Sequence, residues 1–115
     1  MKFRMKRGYV DIAPDVFSLI AGAAATSCFG VRGMAARNMA DGLVHLLKKE
    51  AMRKGVFVTF EGKELLVELH IIVEHGVNIQ TVAPSIIDQV SYAIEKMTGV
   101  NVKSVNVCVD GIMFD

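Results

Sequence analysis

Two glycines bracket a valine and an arginine at Gly30-Val31-Arg32-Gly33, and a second arginine, Arg37, follows four residues later. A guanidinium forks readily onto a carboxylate or a phosphate, so Arg32 and Arg37 are the candidate binding residues of this stretch. A GXXG loop between two helices, with a basic residue inside, is also how KH domains clamp four nucleotides of backbone. Plain architecture accounts for the same residues: Gly30 stops a helix, Val31 and Met34 enter the core, Gly33 turns the chain toward the next helix, and Arg32 stays in solvent. Single-stranded RNA binding through this loop is therefore carried as the alternative function. Against it stand a first helix long for the smaller KH fold and an additional final strand.

The remaining chemistry-bearing residues do not assemble into a motif. His45, His70 and His75 lack metal-ligand spacing, and no H-E-x-x-H, C-x-x-C, G-x-S-x-G or Walker loop occurs. Glu61, Glu64, Glu68 and Glu74 sit on or beside a hairpin, where a solvated face explains them. Cys28 and Cys108 are isolated thiols that read as small buried hydrophobes in a reducing compartment. The expectation is a chain with no catalytic residue, no metal and no cofactor, and so not an enzyme.

Composition narrows the partners. A 115-residue chain with 52% hydrophobic and 22% charged residues is an ordinary single globular domain, spanning 1–115. Its net charge of +1 supplies no field toward nucleic acid or anionic lipid as a whole. Charge is concentrated locally, however: "MKFRMKR" carries Lys2, Arg4, Lys6 and Arg7 without an acid, a candidate contact for an anionic surface, although a solvated edge or fraying start of the chain is the simpler reading. The uncharged run from Val16 to Val31 contains Ser18, Thr26, Ser27 and two glycines, too short and too polar to cross a bilayer. With no secretory signal pattern, the expected location is cytoplasmic, or peripheral to a membrane through a partner.

Hydrophobic periodicity supplies the elements that would position these residues. "GYVDIA" alternates as a short strand, and Pro14 opens a helix with an apolar stripe of Val16, Leu19, Ile20, Ala23, Ala24 and Ser27. Asp41 caps a second helix that Gly55 closes, with Lys48, Lys49, Arg53 and Lys54 near its negative end. "VFVTF" and "LLVELHIIV" flank "EGKE" as a hairpin. The second of these strands turns Leu65, Val67, Leu69, Ile71 and Val73 one way, and Leu66, Glu68, His70, Ile72 and Glu74 the other. Asn78 caps a long helix striped by Ile79, Val82, Ala83, Ile86, Ile87, Val90, Ile94 and Met97, and Gly99 stops it. In the last strand Val105, Val107 and Val109 face the core, while Ser104, Asn106 and Asp110 face out. The order β-α-(α)-β-β-α-β implies an α+β two-layer sandwich, helices packed on one face of a mainly antiparallel sheet.

Several of these segments together resemble the alkaline-shock, or envelope stress response, family of Gram-positive bacteria: "GYVDIAPDV", "AGAAATSCFGVRGMAARN", "DGLVHLLKKE" with "KGVFV", "IIVEHGVNIQTVA" and "MTGVNVKSVNVCVDGI". The signature positions are Gly30, Val31, Gly33, Met34, Gly76, Asn78, Gly99, Asn106 and Gly111. Ala13 departs from the pattern, standing where a Ser N-cap is usual, and so does His75, where an aromatic or small residue is common. The resemblance implies a cytoplasmic, non-catalytic protein that self-assembles into a homo-oligomer and is linked to envelope stress or envelope lipid homeostasis. It also implies recruitment by a membrane-anchored partner, and the subgroup it resembles is often encoded beside a dihydroxyacetone-kinase-like protein. Nucleic acid is not an expected partner.

Overall fold

Strict alternation from Leu65 to Val73 requires a strand with one dry face. That strand organises the structure, a computed structural model that describes residues 1–35 and 54–114. The elements are β1 (Lys2–Met5), β2 (Gly8–Asp11), α1 (Pro14–Thr26), β3 (Val31–Met34), β4 (Val56–Glu61), β5 (Glu64–Glu74), α2 (Ile79–Thr98) and β6 (Asn101–Met113). Leu65, Val67, Leu69, Ile71 and Val73 of β5 are at most 1% exposed, and their alternates are half-buried or exposed.

Every other described strand of the main sheet pairs with β5. Along one edge, β4 pairs antiparallel with residues 64–69 and β3 antiparallel with residues 71–73. Along the other, β6 runs parallel from Glu64↔Asn101 to Glu74↔Met113, reached through the α2 crossover that parallel neighbours require. Where β3 gives way to β4, both polar groups of His70's backbone are occupied: Ala35 N donates to His70 O (2.8 Å) and His70 N donates to Gly55 O (2.7 Å). The α+β class expected from the sequence is observed.

Both described helices cover the same face of the sheet. Phe17, Ala21 and Ala25 of α1 and Ile86, Val90 and Ile94 of α2 join β5, Val56, Val100 and Val105 in one core. On α1 the expected stripe is displaced. Val16 is 41% exposed and Ala23 and Ser27 lie off the core, while Phe17, Ser18, Ala21, Gly22 and Ala25 are buried. The larger aliphatics attracted the periodicity, but small residues let α1 lie close to α2, and Phe17 reaches Phe60 edge-on at 5.6 Å. On α2 the stripe holds through Ile86, Val90 and Ile94, whereas Met97, placed in it by spacing, is exposed. Asn78 caps α2 as expected, its Oδ1 accepting from Thr81 N at 3.2 Å, and Gly99 stops it at φ 77°.

Three further expectations change. The basic start is not a frayed end: Lys2–Met5 pairs with Gly8–Asp11 as an antiparallel hairpin, and Met1 and Phe3 pack against the core. Helix α1 stops at Thr26, before Gly30 is reached, where the Thr26 and Ser27 hydroxyls donate back to the Gly22 and Ala24 carbonyls. Gly30, at φ 87°, then turns the chain into β3. Gly33 is not a turn toward a helix but a strand residue beside an irregularity in the β3–β5 register. The expected helix from Asp41, with Arg37 and His45, lies outside the described residues.

Candidate functional site

The stretch singled out first is a strand, and that removes the nucleic-acid clamp. Val31–Met34 spends its backbone on pairing with β5, so it is not the loop between two helices that a GXXG clamp needs. Arg32 is exposed, as the architectural reading expects, and its guanidinium lies 3.6 Å from the Glu74 carboxylate. Arg37 lies outside the described residues. Lys2, Arg4, Lys6 and Arg7 are all exposed on the β1–β2 hairpin, with Lys2 Nζ 4.8 Å from the Tyr9 ring centroid.

The signature positions are scattered through the architecture. Gly30, Val31, Gly33 and Met34 lead into or form β3, with Val31 buried and Met34 against the core. Gly76 and Asn78 join β5 to α2, and Gly99 joins α2 to β6. Asn106 and Gly111 lie on β6, opposite Glu68 and Ile72.

A different set of side chains converges on the face of the sheet that neither described helix covers. Glu68 and His70 are two apart on β5 and therefore share that face. The parallel register puts Cys108 opposite His70. Between the pairs Ile71↔Val109 and Ile72↔Gly111 the register shifts, so Asp110 is an extra residue, a bulge of the kind that re-aims a side chain. Its carboxylate Oδ2 reaches His70 Nδ1 at 2.9 Å, while Glu68 Oε2 stands 2.6 Å from Nε2. Phe57 of β4 packs edge-on against the imidazole at 5.5 Å. The His70 side chain is 14% exposed, and the two carboxylates, at 43% and 44%, reach solvent. Sequence alone did not bring these residues together. Glu68, His70 and Asp110 were read correctly as outward-facing, but His70 and Asp110 are 40 positions apart, and only the β5–β6 pairing joins them.

This geometry sets the protonation states. The Glu68 hydrogen bond, outweighing partial burial and reinforced by Asp110, raises the His70 pKa above 6.5. Burial pushes the Cys108 thiol up, and the charges of Glu68 and Asp110 add to it. Cys108 is half-buried, not the buried hydrophobe expected from its isolation. Nor is it poised as a nucleophile, since both ring nitrogens are engaged by carboxylates and the thiolate is disfavoured. Cys28 does fit the expectation: it is 5% exposed, its thiol contacts Ala24 O and Gln89 Oε1, and burial raises its pKa.

A pH dependence of stability follows. Because the folded pKa of His70 lies above its unfolded value, the stabilisation is complete below about pH 6.5 and is lost as pH rises through the folded value. Urea unfolding in the presence of a chelator should therefore show a decline in stability across that window, and His70→Gln should flatten it. An unchanged slope in the variant would show that the clamp contributes nothing.

Comparison with known proteins fits the same architecture. The model of a family of alkaline-shock proteins, described as having a cell envelope-related function, matches residues 2–114. The chain belongs to this alkaline-shock protein family. One relative is the uncharacterized protein YloU of Bacillus subtilis, 38% identical over 97% of this chain and 94% of that one. Another is the uncharacterized protein Spy1614 of Streptococcus pyogenes, 33% identical over 97% and 93%. Of solved structures, the MamM CTD in its copper form superposes with a TM-score of 0.52 at 15% identity, covering 88% of this chain and 97% of that one. A variant of the same MamM CTD gives 0.52 at 16% identity, covering 86% and 98%. At such identities the likeness shows that this alkaline-shock family member shares a fold, and nothing more. No helix among the described residues is long and apolar enough to cross a membrane.

Proposed function

We propose that this protein is a non-catalytic interaction module serving the cell envelope, which works by associating with copies of itself and presenting a composite surface to a partner. The observation that carries this reading is the outer edge of β6, which is open among the described strands. Both described helices lie on one face, and no described strand pairs with the outer edge of β6, a strand of 13 residues. Unpaired strand edges recruit further strands, and a two-fold axis lets an edge pair with itself. The end of that strand exposes Ile112, Met113 and Phe114, and Phe57 is exposed on the same sheet. Recruitment by a membrane-anchored partner, with the basic β1–β2 hairpin as a further contact, belongs to the same proposal, as does a cytoplasmic location.

Sedimentation velocity across a micromolar range tests it. The expected result is a concentration-dependent dimer or larger species that Ile112→Lys with Phe114→Lys reduces at least about tenfold in association constant. A monomer at about 100 μM, or association indifferent to those lysines, would overturn the β6 edge as the contact.

A further inference from the structure

We infer that Glu68, His70 and Cys108 bind a zinc-class divalent cation on the face of the sheet that neither described helix covers, with Asp110 orienting the imidazole from behind. This is independent of self-association and departs from the metal-free expectation drawn from sequence spacing. One carboxylate oxygen, one ring nitrogen and the thiol sulfur already lie within 4.8 Å of one another. Tetrahedral zinc, with bonds of about 2.0–2.3 Å, places its ligand atoms roughly 3.5 Å apart. Binding an ion requires His70 Nε2 and Glu68 Oε2, now 2.6 Å apart, to open toward that spacing, and it releases the protons of Nε2 and the Cys108 thiol.

The donor types select the ion. Calcium and magnesium take oxygen ligands, whereas a set of thiolate, imidazole and carboxylate suits zinc and its cobalt substitute. An ion-pair clamp would need only the imidazole and the carboxylates; the sulfur converging on the same point turns the cluster into a ligand set. The two ring nitrogens then have separate tasks. Nε2, on the Glu68 side, is the ligating atom, and Nδ1–H donates to Asp110 at 2.9 Å, the carboxylate–histidine arrangement that fixes tautomer and ring plane in metal sites. Glu68 and His70 come from one strand and Cys108 from its hydrogen-bonded neighbour, so the ladder holds the three Cα positions in register. Three protein ligands leave the fourth tetrahedral position to a water molecule.

The test uses the reduced full chain, stripped with chelator and titrated with cobalt(II) and then zinc(II). One cobalt per chain is expected, with a thiolate-to-cobalt charge-transfer band that zinc displaces. Cys108→Ser should abolish the band and Cys28→Ser should preserve it. His70→Gln should weaken zinc binding at least about a hundredfold, whereas Asp110→Asn should keep the band and weaken binding about ten- to a hundredfold. Absence of the band in the wild-type chain at millimolar cobalt overturns the site, whatever the variants do. Survival of the band in Cys108→Ser overturns it equally.

Discussion

Replacing Phe17 by alanine is expected to cost about 4 kcal/mol, while Val16→Ala, one position earlier, costs under about 0.5 kcal/mol. The contrast follows from the rotation of α1. Phe17 is fully buried and meets Phe60 of β4 edge-on, so truncation leaves a ring-sized cavity between helix and sheet and removes an aromatic pair. Val16, 41% exposed, gives up little buried surface, and alanine is the better helix former. A domain of this size has total stability of about 5–15 kcal/mol, so the Phe17 variant should unfold at a much lower urea concentration. Equilibrium urea unfolding of the two variants checks the orientation directly. A larger loss at Val16 than at Phe17 would put the other face of α1 against the sheet.

The second large effect is expected at Gly55. A Cβ there would stand 2.5 Å from His70 O and 3.0 Å from Ala35 O, with the Met34 Cβ at 3.1 Å. Two of those three neighbours are backbone atoms of residues hydrogen-bonded at the β3–β4 junction, so they cannot move aside cheaply. Gly55→Ala should therefore destabilise the fold by roughly 3 kcal/mol, or displace β4 from β5. Gly33→Ala is the matched control. It has open space around its Cβ direction and no positive φ, so alanine there should be neutral or stabilising by about 0.5 kcal/mol. Thermal melts of the pair separate a steric requirement from a general preference for glycine. Similar melting temperatures would show that the junction has room.

The two positions also show what periodicity reveals and what it hides. The alternation of β5 displayed its dry face residue by residue, because a strand buried on one side has a period that can be read directly. The Asn78 cap and the Gly99 stop were legible because they are local. Gly55 was read as a helix end, and it does follow a helical residue, Lys54, but nothing in a linear pattern shows that another strand's carbonyl passes close by. On α1, hydrophobicity was spread around the helix, and packing distance rather than side-chain size chose the buried face. The candidate metal cluster was hidden for a third reason. Its two halves sit on strands whose pairing depends on a crossover, and one member, Asp110, is aimed by a bulge that breaks the alternation. The family was legible because it depends on several weak local signals at once. The last strand was legible as a strand with one core face and one outward face, but its place at an edge of the sheet is a property of pairing.

The shared partner strand has a consequence for biosynthesis. Until residues 101–113 have left the ribosome, the Leu65-to-Val73 ribbon has one flank with no native neighbour, although its hairpin mate has already emerged. During that interval the nascent chain displays a bare apolar strand suited to mispairing between polysome neighbours. Holdase chaperones would find their natural client window here, and any stall within α2 would prolong it.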